Sequence, residues 1–269
     1  MNQHEFVPLE MSSTEERWLI GFAEGDGSIG VHARGLPFIA FGQKDCSIIN
    51  YIHQLIKRGT ISKDKYDFYR LTVNGINDCF PLVETYSKQV VSTHTSERLN
   101  KLLELYELPQ AERHLPTIEW LAGFFDAEGS SSSIPDINIG QKELQVLEDI
   151  KNVFGGKVFP IHTNNYDGYV WKLYNSTALP LLKQISVYSH NPTKVATALQ
   201  HFNGPSYRET HKNEKREYDA QNHVGQQKSY LKNRVKILER KHEQTVKNRE
   251  ARKYFKEHPE EEAKLHAKP

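Results

Sequence analysis

Two segments of the chain read almost alike: Trp18-Leu-Ile-Gly-Phe-Ala-Glu-Gly-Asp-Gly27 and Trp120-Leu-Ala-Gly-Phe-Phe-Asp-Ala-Glu-Gly129. Each reads as a short apolar helix that ends in acids followed by glycine. A helix C-terminus carries partial negative charge, so an acid in its last turn costs a few tenths to about 1 kcal/mol unless a cation offsets it. Asp26 and Glu128 stand there, directly before a glycine suited to end a helix. Hard oxygen ligands held with few other protein groups suit a divalent ion such as Mg²⁺. Gly21 and Gly25 in the first segment, and Gly123 and Ala127 in the second, share one helix face at i, i+4 spacing. Small residues on that face let two backbones approach closely. Packing the two helices there brings their acidic ends side by side.

The duplication extends past these segments. Gln43-Lys44 pairs with Gln141-Lys142, and Tyr69-Arg70-Leu71 with Trp171-Lys172-Leu173, at offsets of 98 and 102 residues against 102 for Asp26 and Glu128. Nearly constant offsets mean one fold used twice. In the first copy a helix ends at Asp26, and a hairpin over residues 28–43 turns at Gly35-Leu36-Pro37. A helix over residues 45–58 follows, with Ile48, Ile49, Ile52, Leu55 and Ile56 on a 3.6-residue stripe and Gly59 closing it. A second hairpin over residues 60–73 leads into helical segments at 77–88 and 96–106. Residues 1–108 therefore form a first half, 109–116 a linker marked by Pro109 and Pro116, and 117–205 a second half. Residues 206–269 are a basic, mostly helical extension. The fold class is α+β, two pseudo-symmetric αββαββα halves built around antiparallel sheets.

Composition removes several function classes. Two cysteines in 269 residues exclude a disulfide scaffold, and the thirteen histidines form no zinc-ligand spacing. No apolar run approaches the roughly 18 residues needed to span a bilayer. An N-terminus carrying Glu5, Glu10, Glu15 and Glu16 resembles neither a signal nor a transit peptide. The expectation is a soluble, intracellular protein without a membrane partner. Charge is uneven: residues 1–205 hold 18 basic and 23 acidic side chains (net −5), and residues 206–269 hold 17 and 11 (net +6).

The paired segments resemble the LAGLIDADG motif, whose sixth and eighth positions are acidic and whose eighth binds metal. Leu19 to Gly27 and Leu121 to Gly129 cover all nine positions, with Glu24 and Asp126 sixth and Asp26 and Glu128 eighth. The resemblance implies a single-chain homing endonuclease in which the two sheets make one DNA-binding saddle. It implies two or more Mg²⁺ ions at Asp26 and Glu128, with Mn²⁺ able to substitute. It also implies double-strand cleavage leaving short 3′ overhangs, a long asymmetric duplex target and a monomeric state. The compartment then depends on the host genome, bacterial, phage or organellar. An RNA maturase that assists splicing of its host intron is the alternative within the same family, with intron RNA as partner.

Site residues follow in two groups. The family commonly places a glutamine beside the metals, which points to Gln43 and Gln141; it also supplies basic groups from the loop before each half's last helix, where His94 and His190 stand as phosphate-stabilising candidates. The second group reads DNA. The major groove admits a two-stranded ribbon whose alternate side chains point at base edges. That selects Ser28, His32, Arg34, Ser62 and Arg70 in the first half, and Ser130, Ser132, Asn138 and Lys172 in the second.

Overall fold

The computed structural model describes residues 7–131, 136–163 and 166–203, and further on residues 236, 239–247, 249–250, 253 and 256. The chain divides into two compact units, Met1–Gly204 and Pro205–Pro269. In the second unit the described residues are helical and exposed.

Among the described residues the first unit holds sixteen elements in two matching series. The first series is α1 (Ser13–Asp26), β1 (Gly27–Val31), β2 (Pro37–Gln43), α2 (Cys46–Ile56), β3 (Thr60–Lys63), β4 (Tyr69–Asn74), α3 (Ile76–Ser87) and α4 (Thr93–Leu105). The second is α5 (Ile118–Glu128), β5 (Gly129–Ser130), β6 (Asp136–Gln141), α6 (Leu144–Phe154), β7 (Lys157–Thr163), β8 (Tyr166–Tyr174), α7 (Asn175–Tyr188) and α8 (Pro192–Asn203). Each half thus closes with two helices after its second hairpin. Each half also forms one four-stranded antiparallel sheet, in the order β1-β2-β4-β3 and β5-β6-β8-β7.

Local chemistry explains the boundaries. A capping box starts α1: Ser12 Oγ accepts from Glu15 N, and the Glu15 carboxylate accepts from Ser12 N at 2.7 Å. Such a cap is worth about 1 kcal/mol. Helix α2 ends earlier than the sequence suggests, because Lys57 itself takes the left-handed conformation at φ 53°. Gly59 serves the next strand instead: at φ 90°, an added Cβ would lie 2.7 Å from Thr72 O.

In the sheets, Ile29, Ile39, Phe41, Leu71 and Val73 face the core in the first half, and Ile137, Ile139, Trp171 and Leu173 in the second. Period-two alternation leaves the opposite faces free of the core, and a one-residue slip would invert both, so the register is fixed. That register revises one pairing read from sequence. Gln43 lies opposite Tyr69 and Gln141 opposite Tyr169, an offset of 100 residues along β4 and β8. Arg70 therefore matches Val170, and Lys172 matches Thr72; the similarity of the two tripeptides is a coincidence of composition.

The segment between the halves is fastened rather than free. Ala111 N donates to Asn100 Oδ1 at 2.9 Å and His114 N to Val90 O at 2.8 Å. Arg113 bridges Val91 O on one side and Asp149 on α6 on the other, at 2.7 and 2.6 Å. Cys46 is exposed, Cys79 is buried, and both are free thiols. Among the described residues no helix is long and apolar enough to cross a membrane.

Candidate functional site

Helices α1 and α5 pack backbone to backbone. A Cβ on Gly21 would lie 2.0 Å from Trp120 O, and one on Gly123 would lie 1.9 Å from Trp18 O. Each glycine thus admits the carbonyl of the tryptophan that opens the other motif. One turn later, a Cβ on Gly25 would meet the Ala127 side chain at 2.5 Å. The contact is reciprocal, as a pseudo-two-fold axis between the helices requires.

The sixth-position acids brace this contact. Trp18 Nε1 donates to Asp126 at 2.9 Å, and Trp120 Nε1 donates to Glu24 at 2.8 Å. Each acid also holds the loop before its own half's last helix. Glu24 accepts from Val91 N and Ser92 N, both at 3.0 Å, while Asp126 accepts from Ser189 Oγ at 2.5 Å and His190 N at 2.7 Å. Glu24 and Asp126 are structural: among the described residues their hydrogen bonds go to the partner tryptophan and to the closing loop.

The eighth-position acids stand apart from that brace. Gln43 Nε2 donates to Asp26 Oδ2 at 2.6 Å, and Gln141 hydrogen-bonds Glu128, so both glutamines stand beside the acid of their own half. Strand pairing puts each glutamine at the end of β2 or β6, next to the helix end that carries its acid. Lys44 and Lys142 are exposed. Burial, and then repulsion from Glu128, push the Asp26 carboxyl up to about 7. Burial raises Glu128 as well, against the Gln141 hydrogen bond and the charge of Lys194.

Two mutually repelling carboxylates at two helix C-termini fit a divalent cation, which would offset both. Among the described residues no third His, Cys, Asp or Glu joins them. So few protein ligands suit a hard divalent ion that keeps part of its water shell, and not one held in an all-protein cage.

Glu24 titrates in the same direction. Desolvation raises its carboxyl from 4.5 to about 8, despite donors from Ser92, Val91 and Trp120. An acid weakened by folding stabilises the folded state while protonated; this contribution is complete below 4.5 and is lost as pH rises through about 8. The metal-free protein should therefore melt at a lower temperature near pH ~8 than near pH ~5.5, and Glu24→Gln should reduce the difference. Calorimetry with chelator checks this; a melting temperature that rises with pH would contradict it.

The sheet faces opposite the core collect most of the candidate DNA-reading residues. Ser28, Ala40, Thr72 and Thr60 form one cross-strand row, and Gly42, Arg70 and Ser62 the next. In the second half Ser130, Asn138, Lys172 and Lys157 make the row that matches the first. Ser62, Arg70 and Ser130 are exposed, and Arg34 is exposed in the β1–β2 turn. His32 stacks on Phe38 with ring centroids 4.4 Å apart and contacts Asn74 Oδ1 at 3.2 Å. Asn138 is buried at 9% exposure, and its Oδ1 has no partner among the described residues. Ser132 lies outside the described residues.

The two histidines fall in different places. His94 is exposed and lines a cavity of about 540 Å³ that Gln141 also lines. The His190 ring stacks on Tyr51 at 3.8 Å and meets Trp18 edge-on at 4.7 Å. Trp18 lies eight residues before Asp26, about 12 Å along the helix. Burial lowers the His190 imidazole, so the ring packs as a neutral aromatic group beside the motif helix.

Lys194 escaped the sequence reading. From the first turn of α8 its Nζ donates to Phe125 O at 3.1 Å, Asp126 O at 2.7 Å and Ala127 O at 3.1 Å. It offsets the negative end of α5 and attracts Asp126, Asp26 and Glu128 electrostatically. The signal was present: Asn191-Pro-Thr-Lys194 is a helix start with lysine at its third position.

No protein-family model matches the chain. It is 25% identical over 216 residues to Probable intron-encoded endonuclease 4 of Neurospora crassa, covering 69% of this chain and 38% of that protein, so the chain spans well under half the relative's length. Among solved structures it is similar to I-SmaMI bound to uncleaved DNA target in the presence of calcium ions. There the TM-score is 0.51 at 14% identity, covering 69% of this chain and 88% of that one. It is also similar to the LAGLIDADG homing endonuclease I-GzeII in complex with DNA target (0.51, 14%, 69% and 88%). The LAGLIDADG meganuclease I-AabMI bound to uncleaved DNA gives 0.52 at 17% identity, with 69% and 89% covered. With both motif helices joined through their glycines and an acid at each end, the chain has the fold of the LAGLIDADG homing endonucleases.

Proposed function

We propose that the chain is a divalent-metal-dependent, site-specific endonuclease of double-stranded DNA. The observation that carries this reading is the pair Asp26 and Glu128, held at adjacent helix ends with a glutamine on each and kept out of the structural brace. The fold's neighbours bound to DNA, one with calcium ions, and the intron-encoded relative support it. Bound divalent ions would supply Lewis-acid activation of water and stabilisation of the leaving oxygen. The chain's own residues do the rest. Asp26 and Glu128 provide the negative charge that fixes the ions, Gln43 and Gln141 orient those carboxylates, and the outward sheet rows hold the duplex. At each strand a water oxygen bonds to phosphorus as the bond to the 3′ oxygen breaks, leaving a 5′ phosphate and a 3′ hydroxyl with the displaced proton. Cuts on the two strands are staggered to give short 3′ overhangs. One chain carries both half-sites, so a monomer with halves at 1–108 and 117–205 serves one asymmetric duplex, with Mg²⁺ or Mn²⁺. The direct test is incubation with a randomised duplex library and Mg²⁺. Recovery of one long preferred sequence cut on both strands is expected, and an uncut library overturns the reading.

Residues 206–269, net +6 against −5 for the remainder, lie on DNA backbone in this proposal. Truncation after Pro205 should weaken binding to all sequences alike. Each lost phosphate contact should lower the slope of log K against log salt by roughly 0.9. Equal slopes for full-length and truncated protein in a salt titration would remove the extension from the DNA.

A further inference from the structure

Gln43-Lys44-Asp45 and Gln141-Lys142-Glu143 stand at matching places, yet their acids bond differently. In the first half the corner is held locally. Lys44 N donates to Gln43 Oε1 at 2.9 Å, and Asp45 accepts from Ser47 N at 2.9 Å and from Ser47 Oγ at 2.6 Å, capping its own α2. In the second half Glu143 occupies the cap position of α6 without a side-chain hydrogen bond to that helix among the described residues. One methylene longer than aspartate, it reaches instead to the start of α4 in the first half. There it accepts from Ser92 Oγ and Thr93 N at 2.7 Å each and from His94 N at 3.3 Å. Helix α4 has no acid in its own first turn, so a carboxylate from the other half offsets the positive end of its dipole. Buried Ser92 serves both halves at once: its hydroxyl donates to Glu143 and accepts from Thr95 N at 3.2 Å, while its N–H donates to Glu24 at 3.0 Å. Glu143 repels Glu24 across this residue, and Glu97, His94 and Lys142 line the same cavity of about 540 Å³. Burial raises the Glu143 carboxyl, but hydrogen bonds from Ser92, Thr93 and His94 outweigh it and hold the group below the usual carboxylate range. It is therefore ionised, and its bonds are charge-assisted.

We propose that Glu143 is a positioning residue that ties the end of β6 to α4 of the opposite half and thereby aims the Gln141 amide at Glu128. Its consequence for cleavage rests on the endonuclease reading. Gln141 is the last residue of β6, two positions before Glu143, so anchoring the Glu143 carboxylate anchors the corner that carries the glutamine. The second half thus borrows the first half to set its glutamine, whereas Gln43 is set within its own half. Small displacements at such a corner matter, because a misplacement of about 1 Å can cost on the order of a hundredfold in rate.

The informative change is Glu143→Asp in the full chain. Shortened by one methylene, the acid withdraws from α4 and can cap α6 as Asp45 caps α2, so the melting temperature should stay within about 4 °C of the parent. Side-chain amide resonances of Gln43 and Gln141 in the metal-free protein, identified by Gln43→Ala and Gln141→Ala, report the two corners separately. In Glu143→Asp the Gln141 pair should move toward the position of a freely rotating amide while the Gln43 pair stays. Ser92→Ala, which removes a donor from the other half, should move the Gln141 pair in the same direction. A general loosening of the fold would move both glutamines. On a target selected by the wild-type protein, single-turnover cleavage by Glu143→Asp in Mg²⁺ should slow on the order of tenfold, with DNA affinity in Ca²⁺ within about threefold. The proposal is overturned if the Gln141 pair keeps its place in both variants, if the two glutamines move together, or if Glu143→Asp cuts at the wild-type rate. A wild-type protein that cuts no DNA sinks the endonuclease reading instead, and the amide resonances still decide whether Glu143 sets Gln141.

Discussion

Asp26→Asn and Glu128→Gln are each expected to lower double-strand cleavage on the order of a thousandfold while leaving DNA affinity within about threefold. Both changes keep the side chain's shape and remove a charge. The lost charge is the one that repels the opposite acid, so neither variant should be less stable than the parent without metal. Asp26→Asn should melt at least as high near pH ~8, because desolvation already disfavours the ionised form. Gel cleavage kinetics, a DNA-binding isotherm in Ca²⁺ and a melting curve together separate loss of chemistry from loss of fold. A variant that still cuts both strands at the parental rate would strip that acid of its role.

Gly123→Val is expected to be the most damaging single change to stability. A Cβ at residue 123 already lies 1.9 Å from Trp18 O, and that oxygen belongs to main chain that cannot swing aside. The helices must separate, which disturbs the Gly21 contact and both tryptophan bonds at once. A cost of about 3 kcal/mol or more is expected, a fall in melting temperature of roughly 10 °C for a domain of this size. Gly25→Ala should cost less, since its nearest neighbour is the Ala127 methyl group and not a carbonyl. If Gly123→Val melts with the parent, the helices do not meet as described.

The strongest features of this fold were legible because they leave periodic marks. The duplicated acid-glycine ends, the 3.6-residue stripe on α2 and the small residues at Gly21, Gly25, Gly123 and Ala127 each follow from one helix's own geometry. The glutamines were legible too, since their place after a hairpin is fixed by strand direction. What escaped depends on pairs of residues far apart in the chain. Nothing local announces that Trp18 bonds Asp126, that Glu143 caps α4 or that Lys194 reaches the end of α5. Strand register belongs to the same class. The pairing of Arg70 with Lys172 looked right by composition and failed because a ladder, not a tripeptide, sets the offset. His190, a phosphate-stabilising candidate by its place in the sequence, has its ring stacked on Tyr51 and edge-on to Trp18, contacts that no local pattern announces.

The separation between brace and outward sheet rows bears on how such a chain can change over generations. Trp18, Trp120, Glu24 and Asp126 are locked to one another across the halves, so a change at one demands an answer at another. Ser28, Thr60, Ser62, Arg70 and Ser130 share no such debt, since their side chains stand off the core. Substitutions there should be close to neutral for folding, so lineages can drift toward new target sequences while the helix pair stays frozen. Recombination between relatives meets the opposite rule: a half taken from another lineage must bring a motif helix that still offers glycine to the tryptophan carbonyl and an acid to the indole.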